Sequence, residues 1–132
     1  MSQENVEVVR AFFQGWDAKD LDALLELCAP DVEVDWTRSR GLEARIYHGH
    51  EGVRGFWNYL FGVFNRLTVF FDELIECGDH VVAPNRTHFW GRNGVEVKAQ
   101  SVFVFTFRNG CIIQWRLYQE RAEALEAVGL SE

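Results

Sequence analysis

The sequence is poor in the residues that interrupt, staple or anchor a chain. Pro30 and Pro84 are its only prolines. No proline-rich linker, internal repeat or low-complexity tract marks a second unit, so one domain over residues 1–132 is expected. A domain of this length buries about two-thirds of its unfolded surface and needs no staples. Cys28, Cys77 and Cys111 are odd in number, widely spaced and without a CxxC pair, which argues against a zinc knuckle or a disulfide framework. Basic residues are outnumbered, 13 against 20 acidic, for a net charge of −7. That is the wrong sign for a nucleic-acid partner. No run approaches the roughly 18 apolar residues of a membrane span. The start, MSQENVEVVRAFF, lacks the basic and apolar regions of a signal peptide, so a cytoplasmic protein with no membrane partner is expected. The GxGxxG, GxxxxGK[ST] and GxSxG patterns are missing too, and no cofactor is expected.

Aromatic residues, by contrast, are abundant. They make up 14% of the chain, and Trp16, Trp36, Trp57, Trp90 and Trp115 fall in five different segments. A core needs fewer. The excess points to a wide apolar cavity or an aromatic interface.

Periodicity divides the chain into a helical first half and a strand-rich second half. Val6, Val9, Phe13 and Trp16 form one helical stripe, with Ser2 as a candidate N-cap. Asp20 is placed to cap a second helix, with Leu21, Leu24, Leu25 and Cys28 on one face and Pro30 ending it. Val32, Val34 and Trp36 alternate with polar residues as a short strand. Residues 38–50 read as a loop. Val53, Phe56, Trp57, Leu60, Phe61 and Phe64 line a third helix. Strands follow over 67–76, 80–90, 95–107 and 111–118. Asn93-Gly94 and Asn109-Gly110 serve as hairpin signals, and a closing helix over 120–128 ends at Gly129. Early helices and late antiparallel strands make this α+β. A curved sheet would wrap the helices and leave a pocket, with Trp16, Trp36, Tyr47, Trp57, Phe61, Trp90 and Trp115 as candidate lining for a small, largely apolar ligand.

Several stretches resemble SnoaL-like proteins. They are Gln14-Gly15-Trp16-Asp17-Ala18-Lys19-Asp20-Leu21-Asp22, Ala29-Pro30-Asp31-Val32-Glu33, Tyr47-His48-Gly49-His50-Glu51-Gly52-Val53-Arg54, and Thr106-Phe107-Arg108-Asn109-Gly110 through Trp115-Arg116-Leu117-Tyr118. The family lies in the superfamily of nuclear transport factor 2, ketosteroid isomerase, scytalone dehydratase and limonene-epoxide hydrolase. The resemblance implies a cystatin-like α+β cone: a curved, largely antiparallel sheet wrapped around N-terminal helices, with a pocket between them and a homodimeric assembly. It implies no single activity, because that superfamily hosts isomerases, dehydratases, cyclases, hydrolases and binders.

Arg86 and His88 share a face of one strand. A two-residue Asn93-Gly94 loop would set Arg86 opposite Ser101 and His88 opposite Ala99, where small neighbours leave room for a ligand. The alternative is an exposed sheet face or an Arg–carboxylate pair. The epoxide-hydrolase relatives carry Arg-x-Asp on the matching strand and a carboxylate after Trp-Arg on the last one. Here His88 and Leu117 stand at those places, so epoxide opening by that dyad is disfavoured. Ketosteroid isomerase has its basic Asp near the position of Asp35, and Asp35 either serves as a pocket base or faces solvent. His48-Gly49-His50 would hold a metal only with a third ligand, and no metal is expected. His88 is therefore the candidate proton donor or acceptor, with Arg86 holding a developing oxyanion on a polyketide-like or cyclic carbonyl compound. The competing readings are a non-catalytic binder using the same pocket and a dimeric interaction module. Turning both Ser101 and Leu117 inward demands a β-bulge between Ala99 and Val102. The other face would then carry Phe103, Phe105, Phe107 and Ile112, too apolar for a monomer and a second ground for a homodimer.

Overall fold

The computed structural model describes residues 2–40 and 44–130. Two helices, α1 (Ser2–Ala18) and α2 (Leu21–Glu26), open the chain. The Ser2 side chain, and with it the expected cap, lies outside the described part. Lys19 takes a left-handed φ of 57° between the helices. Asp20 caps α2 as its spacing suggests, its carboxylate accepting the Ala23 N–H at 3.1 Å. The helix stops at Glu26, and β1 (Cys28–Asp35) runs through Pro30 instead of starting after it. Proline is tolerated because β1 pairs with β7 around an irregularity between Cys28 and Glu33, where no ladder N–H is required.

The stretch expected as a loop over 38–50 carries regular structure at its C-terminal end. It holds β2 (Ile46–His48), paired with β1, and the start of α3 (Gly49–Val63). The stripe of α3 loses its last member, since Phe64 turns extended and opens β3 (Phe64–Phe71). The single strand expected over 67–76 is thus β3 followed by a separate short β4 (Ile75–Cys77). Next come β5 (His80–Gly91), β6 (Glu96–Arg108), β7 (Cys111–Tyr118) and α4 (Arg121–Ala127). Beyond α4, Gly129 adopts φ 84° and the Leu130 N–H reaches the Leu125 carbonyl at 2.8 Å, a Schellman closure.

The strands form one curved open sheet in the order β2-β1-β7-β6-β5-β3, with β4 beside β5. Only β1 and β7 are parallel. Against its concave face lie α1 and α3, burying Val9, Phe12, Phe13, Trp16, Val53 and Phe56 on Val81, Ala83, Phe103, Phe105 and Trp115. The short α4 covers one end of the outer face, over Val82, Val102, Val104 and Tyr118.

Both hairpin registers differ by one residue from the expected pairing. The first loop is three residues, Arg92–Gly94, closed by the Gly91 N–H on the Val95 carbonyl at 2.7 Å. Arg86 therefore faces Gln100 and His88 faces Lys98, while Thr87 faces Ala99 and Asn85 faces Ser101. The second loop is the expected two-residue Asn109-Gly110, but the ladder shifts between Thr106 and Phe107 and sets Phe103 opposite Leu117. The bulge expected between Ala99 and Val102 does not form, because pairing with β5 is continuous there. With both shifts applied, Ser101, Phe103, Phe105, Trp115 and Leu117 all turn inward without conflict. Phe103, Phe105, Phe107 and Ile112 are buried in the core at 4% exposure or less. They offer no apolar face to a partner, so that ground for a homodimer falls.

Candidate functional site

The cavity opens where the inward residues of β6 shrink from Phe105 and Phe103 to Ser101 and Ala99. It measures about 340 Å³. Phe13 and Trp16 of α1 and Phe56, Tyr59, Leu60 and Val63 of α3 form one wall. Leu67 and Val69 of β3, with Thr87 and Phe89 of β5, face them. Trp36, Ser39, Arg40 and Gln119 stand at one end, and Trp115, Leu117 and Phe103 contribute from the sheet. Charge reaches it only at the rim: the Arg40 side chain is 75% exposed and lies 3.7 Å from Glu120 Oε1. Among the described residues the lining holds no carboxylate and no imidazole.

One polar group sits deeper. Asn85 is 2% exposed, and Thr87, two residues on, is 6% exposed. Asn85 Nδ2 donates to the Ala83 carbonyl at 3.0 Å. Its Oδ1 accepts from Thr87 Oγ1 at 2.9 Å and from Ser101 Oγ at 3.2 Å. Thr87 and Ser101 also line the cavity. Sequence reasoning missed this trio by choosing the other face of β5. A signal was present: Val81, Ala83, Asn85, Thr87 and Phe89 form the apolar-to-polar alternate series. The opposite series carries the charges expected of a solvent face.

Of the residues singled out from sequence, Trp16, Trp36 and Trp115 line the cavity. Tyr47 is buried against Phe56, ring centroids 5.0 Å apart, outside the lining. Trp57 and Phe61 meet edge-to-face at 4.7 Å and pack on Trp16 at 4.8 and 6.0 Å, behind the wall. Trp90 lies on the outer face, its ring 3.9 Å from that of His88 and capped by Arg66 at 4.6 Å.

Arg86 and His88 do share a face, but it is the face away from the cavity. Arg86 Nε meets Asp72 at 3.2 Å and is 57% exposed, and His88 Nε2 lies 3.4 Å from Glu96. Because His88 faces outward and Leu117 inward, a carboxylate at each would not meet. Asp35 pairs in register with Arg116. Burial alone would raise its pKa. The Thr37 hydroxyl at 2.6 Å, the Thr37 N–H at 3.0 Å and Arg38 outweigh that and hold the carboxyl below its ordinary range, which suits an ion-pair partner better than a base. His48 lies 4.0 Å from Glu33, whereas His50 Nε2 contacts the Cys28 carbonyl, so the two histidines do not converge. Burial pushes the Cys28 thiol up to about 12, leaving it inert.

The architecture and the sequence have known counterparts. The model of the SnoaL-like domain matches residues 9–115. No curated protein matches the chain significantly. An NTF2-like protein of unknown function from Burkholderia pseudomallei K96243 is similar at 24% identity, over 96% of this chain and 98% of that one, with a TM-score of 0.78. RV0760c from Mycobacterium tuberculosis, solved in complex with estradiol-17beta-hemisuccinate, is similar at 20% identity, over 89% and 95%, with a TM-score of 0.79. A putative SnoaL-like polyketide cyclase from Jannaschia sp. CCS1 is similar at 25% identity, over 99% and 95%, with a TM-score of 0.74. With the matched segment running from α1 into β7, across both walls of the cavity, the chain belongs to the SnoaL-like domain family.

Proposed function

We propose that this protein binds a small, largely apolar, ring-bearing molecule in the cavity between its helices and sheet. The observation that carries this reading is the cavity itself: about 340 Å³ walled mainly by aromatic and aliphatic side chains, with polar groups at only a few points. That is the composition of a small-molecule site. The steroid derivative bound by the mycobacterial neighbour and the cyclase assignment of the Jannaschia neighbour support a polycyclic ligand. Arg86 and His88 instead line a separate depression of about 580 Å³ with Phe70, Lys98 and Gln100, so proton transfer by this pair would not act on a ligand held in the aromatic cavity.

Three tryptophans in the lining make binding visible. Titration with estradiol and with a planar polyketide-like quinone is expected to quench intrinsic fluorescence saturably at one ligand per chain. Absence of saturable quenching by either compound overturns the reading. The homodimer implied by the family resemblance remains a proposal of its own. Sedimentation velocity at micromolar concentration supports it with a species of twice the chain mass and overturns it with a clean monomer.

A further inference from the structure

The polar trio below the cavity has a direction. A carbonyl oxygen can only accept a hydrogen bond, so the 3.0 Å contact with the Ala83 carbonyl identifies the Asn85 atom there as Nδ2. The other amide atom is then Oδ1, itself an acceptor. Thr87 Oγ1 and Ser101 Oγ, at 2.9 and 3.2 Å from it, must both supply their hydroxyl protons. Each hydroxyl has one proton to give. What Thr87 and Ser101 then present to the cavity they line is lone pairs, not donors. A ligand carbonyl or carboxylate set against them would meet acceptor with acceptor. Turning either hydroxyl toward it would leave the almost fully buried Asn85 Oδ1 short of a partner.

We infer that this inner patch is a specificity element for a hydrogen-bond donor, and that the cavity selects ring compounds bearing a hydroxyl over the corresponding ether, ketone or acid at that end. The inference rests on the proposed binding function and adds the chemical class of the ligand. Ala99, opposite Thr87 in the ladder, gives a ring-borne hydroxyl room to reach both oxygens. The phenyl rings and aliphatic side chains around it supply contact without polar discrimination.

The test uses 2-naphthol, 2-methoxynaphthalene and naphthalene as matched probes, titrated calorimetrically into the intact protein. The naphthol is expected to bind about three- to tenfold more tightly than either of the others, the scale of one net hydrogen bond. The Thr87→Val and Ser101→Ala double variant is expected to lose that preference while still binding naphthalene. The conservative Thr87→Ser variant, which keeps the hydroxyl, is expected to retain the preference and serves if the double variant does not fold. Equal binding of the three probes by the wild type overturns the donor rule and leaves the cavity function standing. So does a preference that persists in the double variant, or one that Thr87→Ser abolishes. Failure of all three probes to bind overturns the donor rule together with the function beneath it.

Discussion

At the residue scale, a buried amide and a half-buried imidazole carry testable consequences. Asn85 uses one donor and accepts two hydroxyls inside the sheet. Asn85→Ala strands both hydroxyls and the Ala83 carbonyl contact, so a loss of about 1–3 kcal/mol is expected in urea unfolding; an unchanged midpoint would show that water replaces the amide. His80 is the second case. Burial lowers its pKa from the ordinary 6.5 and the nearby Arg116 charge lowers it further, with Asp79 opposing. Its ring meets Thr106 Oγ1 at 2.9 Å. As pH falls through 6.5 the unfolded chain takes up this proton before the folded one, so His80 costs stability on the acid side. The depressed carboxyl of Asp31, bonded by Arg108 at 2.8 Å, and that of Asp35 add a separate loss as pH falls through 3.8. Stability is therefore expected to drop as pH falls through 6.5, and His80→Gln to flatten that step but not the loss below pH 3.8. An identical pH profile for His80→Gln and wild type would contradict the assignment.

At the element scale, helices and strands were legible wherever one face is continuously apolar, as in α1 and α3, whose stripes meet the sheet. What was not legible is register. A strand repeats every two residues, so one residue of error in a loop exchanges its faces. Asn93-Gly94 is compatible with a two-residue hairpin, yet Arg92 joins it to make a three-residue loop. That single residue moved Arg86 and His88 to the outer face and Thr87 to the inner one. The corner between β2 and α3 was equally hidden, because its constraint is a backbone approach. A Cβ on Gly52 would lie 2.8 Å from the Tyr47 carbonyl carbon, whereas one on Gly55, a turn along the same helix, would meet nothing within 4 Å. Gly52→Ala is thus expected to cost about 1–3 kcal/mol through overpacking, and Gly55→Ala to stabilise by about 0.5–1 kcal/mol through helix propensity. Thermal melts of the pair separate the two effects, and equal shifts would show that the corner relaxes freely.

At the scale of the whole molecule, the cavity is a mismatch between two layers. The helices present large rings along their length, while β6 presents large rings only up to Phe103 and the small Ser101 and Ala99 beyond it. An aromatic surplus in the sequence suggested such a space, but composition could not say which rings face it: Trp16, Trp36 and Trp115 line it, whereas Trp90 stacks on His88 outside. The same geometry shows how to close it. Ala99 is exposed, points inward opposite Thr87 and belongs to the lining. A phenyl ring there would occupy space now open beside Phe89 and Val97, neighbours that are themselves apolar. Ala99→Phe is therefore expected to weaken estradiol binding at least about tenfold, since a ligand must now displace or avoid a side chain that fills part of its contact area. Stability should hold or rise, because the new ring covers apolar surface at roughly 25 cal/mol per Å². Arg86→Ala and His88→Ala, on the opposite face, are expected to leave affinity within about twofold of wild type. Fluorescence titration of the three variants, alongside their melting temperatures, decides the matter. If Ala99→Phe folds and binds unchanged while either outer-face variant loses affinity, the ligand sits on the convex side of the sheet and the cavity is not its site.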